Sequence, residues 1–207
     1  MPKQQTLRHF KAALFETLSH RTRMQLLLQL AEGEKEVRDL MQASPSDDEV
    51  QTGKHLATLV GNRIVQRRTE GGQAFYSLTD PALGKVVRMM AVNDAWPMAL
   101  SHPIRIEILE MLQEEDVTHS EIVRRLSRED QPQAPLHLDK LLSTTLVTRR
   151  SSGPQAVYTV NRDIVPKVLK LLREYFENHL AEAILMVNRV SYQHIQEEAE
   201  HLRQHPH

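Results

Sequence analysis

The chain repeats itself. A shift of 82 positions, with no gap, sets residues 14–93 on residues 96–175, and roughly a quarter of the paired positions are identical. Leu18-Ser19-His20-x-x-Arg23 falls on Leu100-Ser101-His102-x-x-Arg105, and His55-Leu56-x-x-Leu59 on His137-Leu138-x-x-Leu141. Val65-x-Arg67-Arg68-x-x-Gly71-x-Gln73-Ala74-x-Tyr76 falls on Val147-x-Arg149-Arg150-x-x-Gly153-x-Gln155-Ala156-x-Tyr158. Elsewhere apolar residues replace one another, as in Met24/Ile106, Leu40/Ile122 and Leu78/Val160. A fixed period of this length means one small domain built twice.

Composition narrows what such a domain can do. A unit of about 80 residues buries a modest core and gains from packing on its twin. There is no cysteine, which excludes disulfides, thiolate metal sites and cysteine nucleophiles together. No long apolar run or targeting segment appears, so the expectation is a cytoplasmic protein away from membranes. The formal net charge of −1 gives no global attraction to nucleic acid, and any such binding must come from local clusters.

The local pattern is helices followed by a hairpin. Leu7, Phe10, Leu14 and Leu18 recur at helical spacing. Ser19 is placed to cap a second helix, whose stripe of Met24, Leu27 and Leu30 ends at Gly33. Glu36 to Ala43 reads as a third helix, Ser44-Pro45-Ser46-Asp47-Asp48 as a turn, and Val50 to Asn62 as a fourth helix. The period then drops to two, with strands at Ile64–Thr69 and Gln73–Thr79 around Glu70-Gly71-Gly72. The second copy repeats this order with helices at Ile104–Leu112, Thr118–Leu126 and Leu136–Leu142, then strands at Val147–Ser151 and Ala156–Val160. Thr118 with Glu121 fits a capping box. Between the copies, a closing helix runs into a short opening helix, with a break expected at Pro97. Beyond Pro166, apolar residues from Val168 to Val187 predict one very long helix, or two broken near Asn178 or Asn188. The expected fold is therefore mainly α with small β-hairpin wings: a tandem winged helix-turn-helix repeat with a long C-terminal helix. Its expected domains are residues 1–95, 96–178 and an extension at 179–207.

These residues carry a family resemblance. Leu18-Ser19-His20-Arg21-Thr22-Arg23-Met24-x-x-Leu27, and its counterpart from Leu100 to Leu109, resemble the opening motif of ArsR-type winged-helix repressors. Gln51-Thr52-Gly53-Lys54-His55-Leu56-x-x-Leu59, then Ile64-Val65-x-Arg67-Arg68 and Gln73-Ala74-Phe75-Tyr76-Ser77-Leu78, resemble that family's recognition helix and wing. The resemblance covers about 160 of the 207 residues. It implies double-stranded DNA as partner. It also implies a homodimer-like clamp which, with both copies in one chain, becomes an intramolecular pseudo-dimer.

Elementary chemistry points to the same side chains. A helix in the major groove reads base edges through short polar and basic residues near its N-terminal half. In copy one these are Gln51, Thr52, Lys54, His55 and Thr58; in copy two they are Gln133, His137 and Lys140, with Ala134, Pro135 and Leu136 in place of better readers. Arg63, Arg67 and Arg68, and then Arg149 and Arg150, are placed to grip phosphates. Against this, Asp47-Asp48-Glu49 and Glu129-Asp130 set carboxylates at the approach to each recognition helix, so affinity should be modest and salt-sensitive. Copy two reads as the weaker partner.

The histidines have blander assignments. His20 and His102 suit capping and packing at a helix mouth, while His55 and His137 divide between packing and base contact. The family's metal sensors use cysteines on the third helix, or Asp/His sets on the closing helix. The third-helix positions here hold Val37-Arg38-Asp39 and His119-Ser120-Glu121, so no metal or cofactor is expected. His194, Glu197, Glu198 and His201 share a helical face, but a solvated tail explains them better. No phosphate loop, HExxH or nucleophile elbow occurs, and no catalytic residue is assigned. Two functions stand: a transcriptional regulator, of the repressor kind, reading two half-sites, or a winged-helix protein-interaction module that has lost DNA binding. The C-terminal stripe of Leu180, Ile184 and Val187 could fold back on the first helix or pair two chains into a homodimer.

Overall fold

The computed structural model describes residues 2–42, 48–152 and 155–176, and the chain divides into two compact units, Met1–Leu172 and Arg173–His207. Residues 173–176 of the second unit are helical, with Phe176 edge-on to Tyr175 at 5.0 Å. The C-terminal stripe, the His194–His201 set and the Gly153-Pro154 turn tip lie outside the described residues.

Within the first unit one order of elements occurs twice. Helix α1 (Pro2–Leu18) leads to α2 (Arg21–Leu30), strand β1 (Lys35–Glu36), α3 (Val37–Met41), α4 (Glu49–Gly61), β2 (Val65–Glu70), β3 (Gln73–Leu78) and α5 (Pro81–Met90). Then come α6 (Ala95–Leu100), α7 (Pro103–Glu114), β4 (Val117–Thr118), α8 (His119–Arg125), a 3-10 turn (Gln131–Gln133), α9 (Ala134–Leu142), β5 (Val147–Ser152) and β6 (Gln155–Val160), followed by helical residues 165–172. Both sheets are antiparallel and three-stranded, in the orders β1-β3-β2 and β4-β6-β5. Three helices followed by a hairpin, with a short strand added to the hairpin's second arm, is a winged helix-turn-helix arrangement.

The two-residue strands β1 and β4 escape sequence reading because alternation needs four or more residues to register. Each pins the start of a helix to the wing: Lys35 pairs with Tyr76, and Val117 with Tyr158. Thr118 caps α8, its Oγ1 accepting from Glu121 N at 3.3 Å. The Glu121 carboxylate accepts from Arg124 and Arg125 through its Oε1. Thr118→Ala should therefore cost about 1 kcal/mol, read as a lower urea midpoint with an unchanged m-value.

Two expectations need correction. Ser19 does not cap α2: its hydroxyl donates back to Glu16 O at 2.7 Å, and His20, in extended geometry, occupies the N-cap. Pro97 breaks nothing either. The interruption falls between Met90 and Ala95, and Pro97 sits in the first turn of α6, where the missing N–H would have had no helical acceptor.

Helix α1 packs on α6 and α7 as well as on α2. Its Arg8 reaches Glu107 and Glu110, both at 2.9 Å, and Lys11 reaches Glu110 at 2.7 Å, all half-buried on α7. Under the 82-residue shift, α6 corresponds to residues 13–18, so α1 packs on the counterpart of its own last turns. Each also anchors a helix end. Asn62 Nδ2 donates to Thr17 Oγ1 at 3.0 Å after α4, and Trp96 Nε1 donates to Thr144 O at 3.1 Å after α9.

Candidate nucleic-acid interface

Helix α4 owes its start to Asp48, whose carboxylate accepts from Gln51 N at 2.8 Å. That carboxylate, in sequence an obstacle to phosphates, is the cap that orders the candidate recognition helix. Gln51, Lys54 and Thr58 lie on the exposed face, and the Thr58 hydroxyl is drawn back to Lys54 O at 3.0 Å. His55 is half-buried, its ring 4.6 Å from that of His20. Thr52 is fully buried on the stripe of Leu56 and Leu59, and its hydroxyl has no partner among the described residues. Helix phase thus withdraws Thr52 from base contact.

Arg63 follows α4 in a left-handed conformation, φ 56°, and Thr145 repeats this after α9 at φ 61°. The chain must reverse there to enter the wing, and the Thr79 hydroxyl closes the first turn by donating to Arg63 O at 2.8 Å. Arg63 is exposed and unpaired among the described residues, as is Arg67, opposite Tyr76 on the wing.

Arg68 is different. Alternation puts it on the other face of β2, where its guanidinium forms a bidentate pair with Glu34 (Nε–Oε2 2.7 Å, Nη2–Oε1 2.6 Å). It also meets the Glu70 carboxylate, and it lies 4.5 Å from the centre of the Phe75 ring. The hydrogen bond from Arg68 holds the Glu34 carboxyl below the ordinary range. A guanidinium so held already has the planar acceptor that a phosphate would offer. Arg68 thus ties the wing to Glu34 across the sheet.

Copy two keeps the arginine of that clamp, as Arg150, but, among the described residues, none of the contacts that hold it. Phe75 is replaced by Val157 and Glu70 by Ser152, and Asp116, at the position of Glu34, pairs with Arg162 at 2.9 Å. Arg149 and Arg150 are exposed and make no ion pair among the described residues. On α9, Lys140 is exposed, as is Gln133 just before it, but His137 is only 3% exposed. Its ring lies 4.2 Å from His102, and Arg105 Nη1 is 3.3 Å from its Nδ1. Arg105 is held in turn by Met98 O at 2.9 Å and by Ala99 O. Like Thr52, His137 is turned inward.

Burial, with His102 and Arg105 adding to it and Asp130 opposing, pushes the His137 pKa down from 6.5 to about 4. Burial also lowers His102. A base with a depressed folded pKa binds fewer protons folded than unfolded between those two values, so stability falls as pH drops from 6.5 toward 4. The melting temperature should decline over that window, and His137→Leu should flatten the decline. An equally steep decline in the variant would assign it to other groups.

Among the described residues no helix is long and apolar enough to cross a membrane, and no group of three or more His, Asp or Glu could hold a metal ion.

No family model matches the chain, and no curated protein matches it. Solved structures do. The transcriptional repressor BigR from Xylella fastidiosa is 32% identical over 38% of this chain and 80% of its own, with a TM-score of 0.36. The homodimeric winged helix-turn-helix DNA-binding domain Mb0332 from Mycobacterium bovis is 25% identical over 42% and 76%, with a TM-score of 0.35. An ArsR-like transcriptional regulator from Rhodococcus sp. RHA1 is 21% identical over 51% and 95%, with a TM-score of 0.34. The first and third are described as transcriptional regulators, and the second as a possible ArsR-family regulator. Each similarity spans about half of this chain or less.

Proposed function

We propose that the chain is a DNA-binding transcriptional regulator, acting as a repressor by occupying its operator, and that its two winged-helix copies read two unequal half-sites. The observation that carries this is the pair of exposed, unclamped guanidinium groups on the second wing, beside a helix whose outer face carries Lys140, with Gln133 just before it. Arg63 and Arg67 beside Gln51, Lys54 and Thr58 supply the equivalent surface in copy one. His55 is half-buried on the same helix, its ring against that of His20. Packing of α1 on its own counterpart α6 supports an intramolecular pseudo-dimer, since a helix meeting its equivalent is what a two-fold interface produces. On this reading the domains are residues 1–95 and 96–178 with an extension at 179–207, and the protein works in the cytoplasm with no cofactor.

The alternative, a protein-docking module, draws support from the Arg68 clamp, which neutralises one wing. Fluorescence anisotropy separates the two. The full chain is titrated onto duplex from its own upstream region and onto scrambled duplex, at salt from about 50 to 200 mM. Selective binding that weakens steeply with salt is expected. Binding that is absent, or equal for both duplexes, would favour docking.

A further inference from the structure

Leu136 is 68% exposed on the outer face of α9. Single exposed leucines are ordinary on protein surfaces, but the place of this one is not. It is the third residue of its helix, within the half that a groove-bound helix directs at base edges. Gln133 lies one turn before it and Lys140 one turn after, while His137, Leu138 and Leu141 occupy the opposite, buried face. Asp139 shares the outer face, where a carboxylate can accept from the N4 amino group of a cytosine. The 82-residue shift sets Leu136 on Lys54, also exposed. The two copies therefore offer different chemistry at one matched position: an ammonium in the first and a branched alkyl group in the second.

We propose that Leu136 is a specificity-determining residue that reads the C5-methyl group of a thymine. This rests on the DNA-binding function proposed above. The major groove displays one apolar group, the thymine methyl, and an exposed alkyl side chain on a recognition helix has no other complementary partner there. Lys54 at the matched position complements the O6 and N7 acceptors of guanine. The operator is then asymmetric, with a thymine in the α9 half-site where the α4 half-site carries a guanine.

The test begins with selection of duplexes from a randomised pool by the full-length protein. In the best selected duplex each thymine is replaced, one at a time, by deoxyuridine, which removes only the methyl group. One replacement should weaken wild-type binding by about fourfold, the effect of one buried methyl. The same replacement should not change binding by Leu136→Ala, whose substitution at an exposed helical position leaves the fold intact. If every replacement is neutral for the wild type, or the penalty persists in Leu136→Ala, the assignment of Leu136 is overturned while DNA binding stands. If folded protein enriches no duplex at all, the DNA reading fails and this inference with it.

Discussion

Arg149→Glu with Arg150→Glu should weaken operator binding by roughly 100-fold or more, because each substitution removes a charge-assisted hydrogen bond worth about 1.5–3 kcal/mol. With two fewer phosphates neutralised, the slope of log affinity against log salt should also become shallower by about 1.8. The expectation rests on the wing's geometry. Successive residues on β5 point to opposite faces, so the two guanidinium groups diverge. A hairpin laid along the minor groove, about 6 Å wide, has a rail of phosphates on each side. Both arginines are exposed, and no carboxylate among the described residues competes for them. Anisotropy titrations at several salt concentrations give both numbers, and an unchanged salt slope would remove this wing from the interface.

Arg68 sets the contrast. Glu34 and Glu70 already occupy its guanidinium, so Arg68→Gln should leave the salt slope nearly unchanged. What it should change is the wing itself, with faster hydrogen exchange of the amides in β2 and β3 once the tie to Glu34 is removed. The second arginine of each pair thus has different surroundings in the two copies: Glu34, Glu70 and Phe75 around Arg68, and Asp116, Ser152 and Val157 at the matched positions for Arg150.

That divergence marks the limit of the sequence. The helices, the hairpins and their recurrence are legible because periodicity and turn residues are local, and the 82-residue shift sets each element against its twin. The inward phase of Thr52 is legible too, since Thr52, Leu56 and Leu59 stand at i, i+4 and i+7, but the polarity of the side chain obscures it. His137 similarly shares a stripe with Ala134, Leu138 and Leu141. Strands β1 and β4 are invisible for want of length. The Arg68 clamp is invisible for another reason: Glu34 meets it only when β1 docks on β3, and no local pattern encodes that docking. Leu136 looks in sequence like a poor substitute for a polar reader. Its exposure, set by helix phase, is what gives it a role.

In the proposed pseudo-dimer α1 joins the two copies, and two phenylalanines on that helix test its packing. Phe15 is 0% exposed, whereas Phe10 is 41% exposed. Phe15 lies one turn beyond Lys11, on the side of the helix whose Arg8 and Lys11 reach the α7 carboxylates. Phe15→Ala should cost about 3–5 kcal/mol through the transfer energy of the ring and the cavity left behind. For a chain of this size that is a fall in melting temperature of about 6–20 °C. Phe10→Ala removes the same group from a half-solvated position and should cost a small fraction of that. Should Phe15→Ala fail to fold, Phe15→Leu, which keeps most of the volume, gives a measurable smaller loss. Equal losses at positions 10 and 15 would mean that α1 is not held by this face, and the pseudo-dimer would be without its principal apolar anchor. A large loss at 15 alone is the result expected if the buried face of α1 is the one that holds it, as the proposed pseudo-dimer requires.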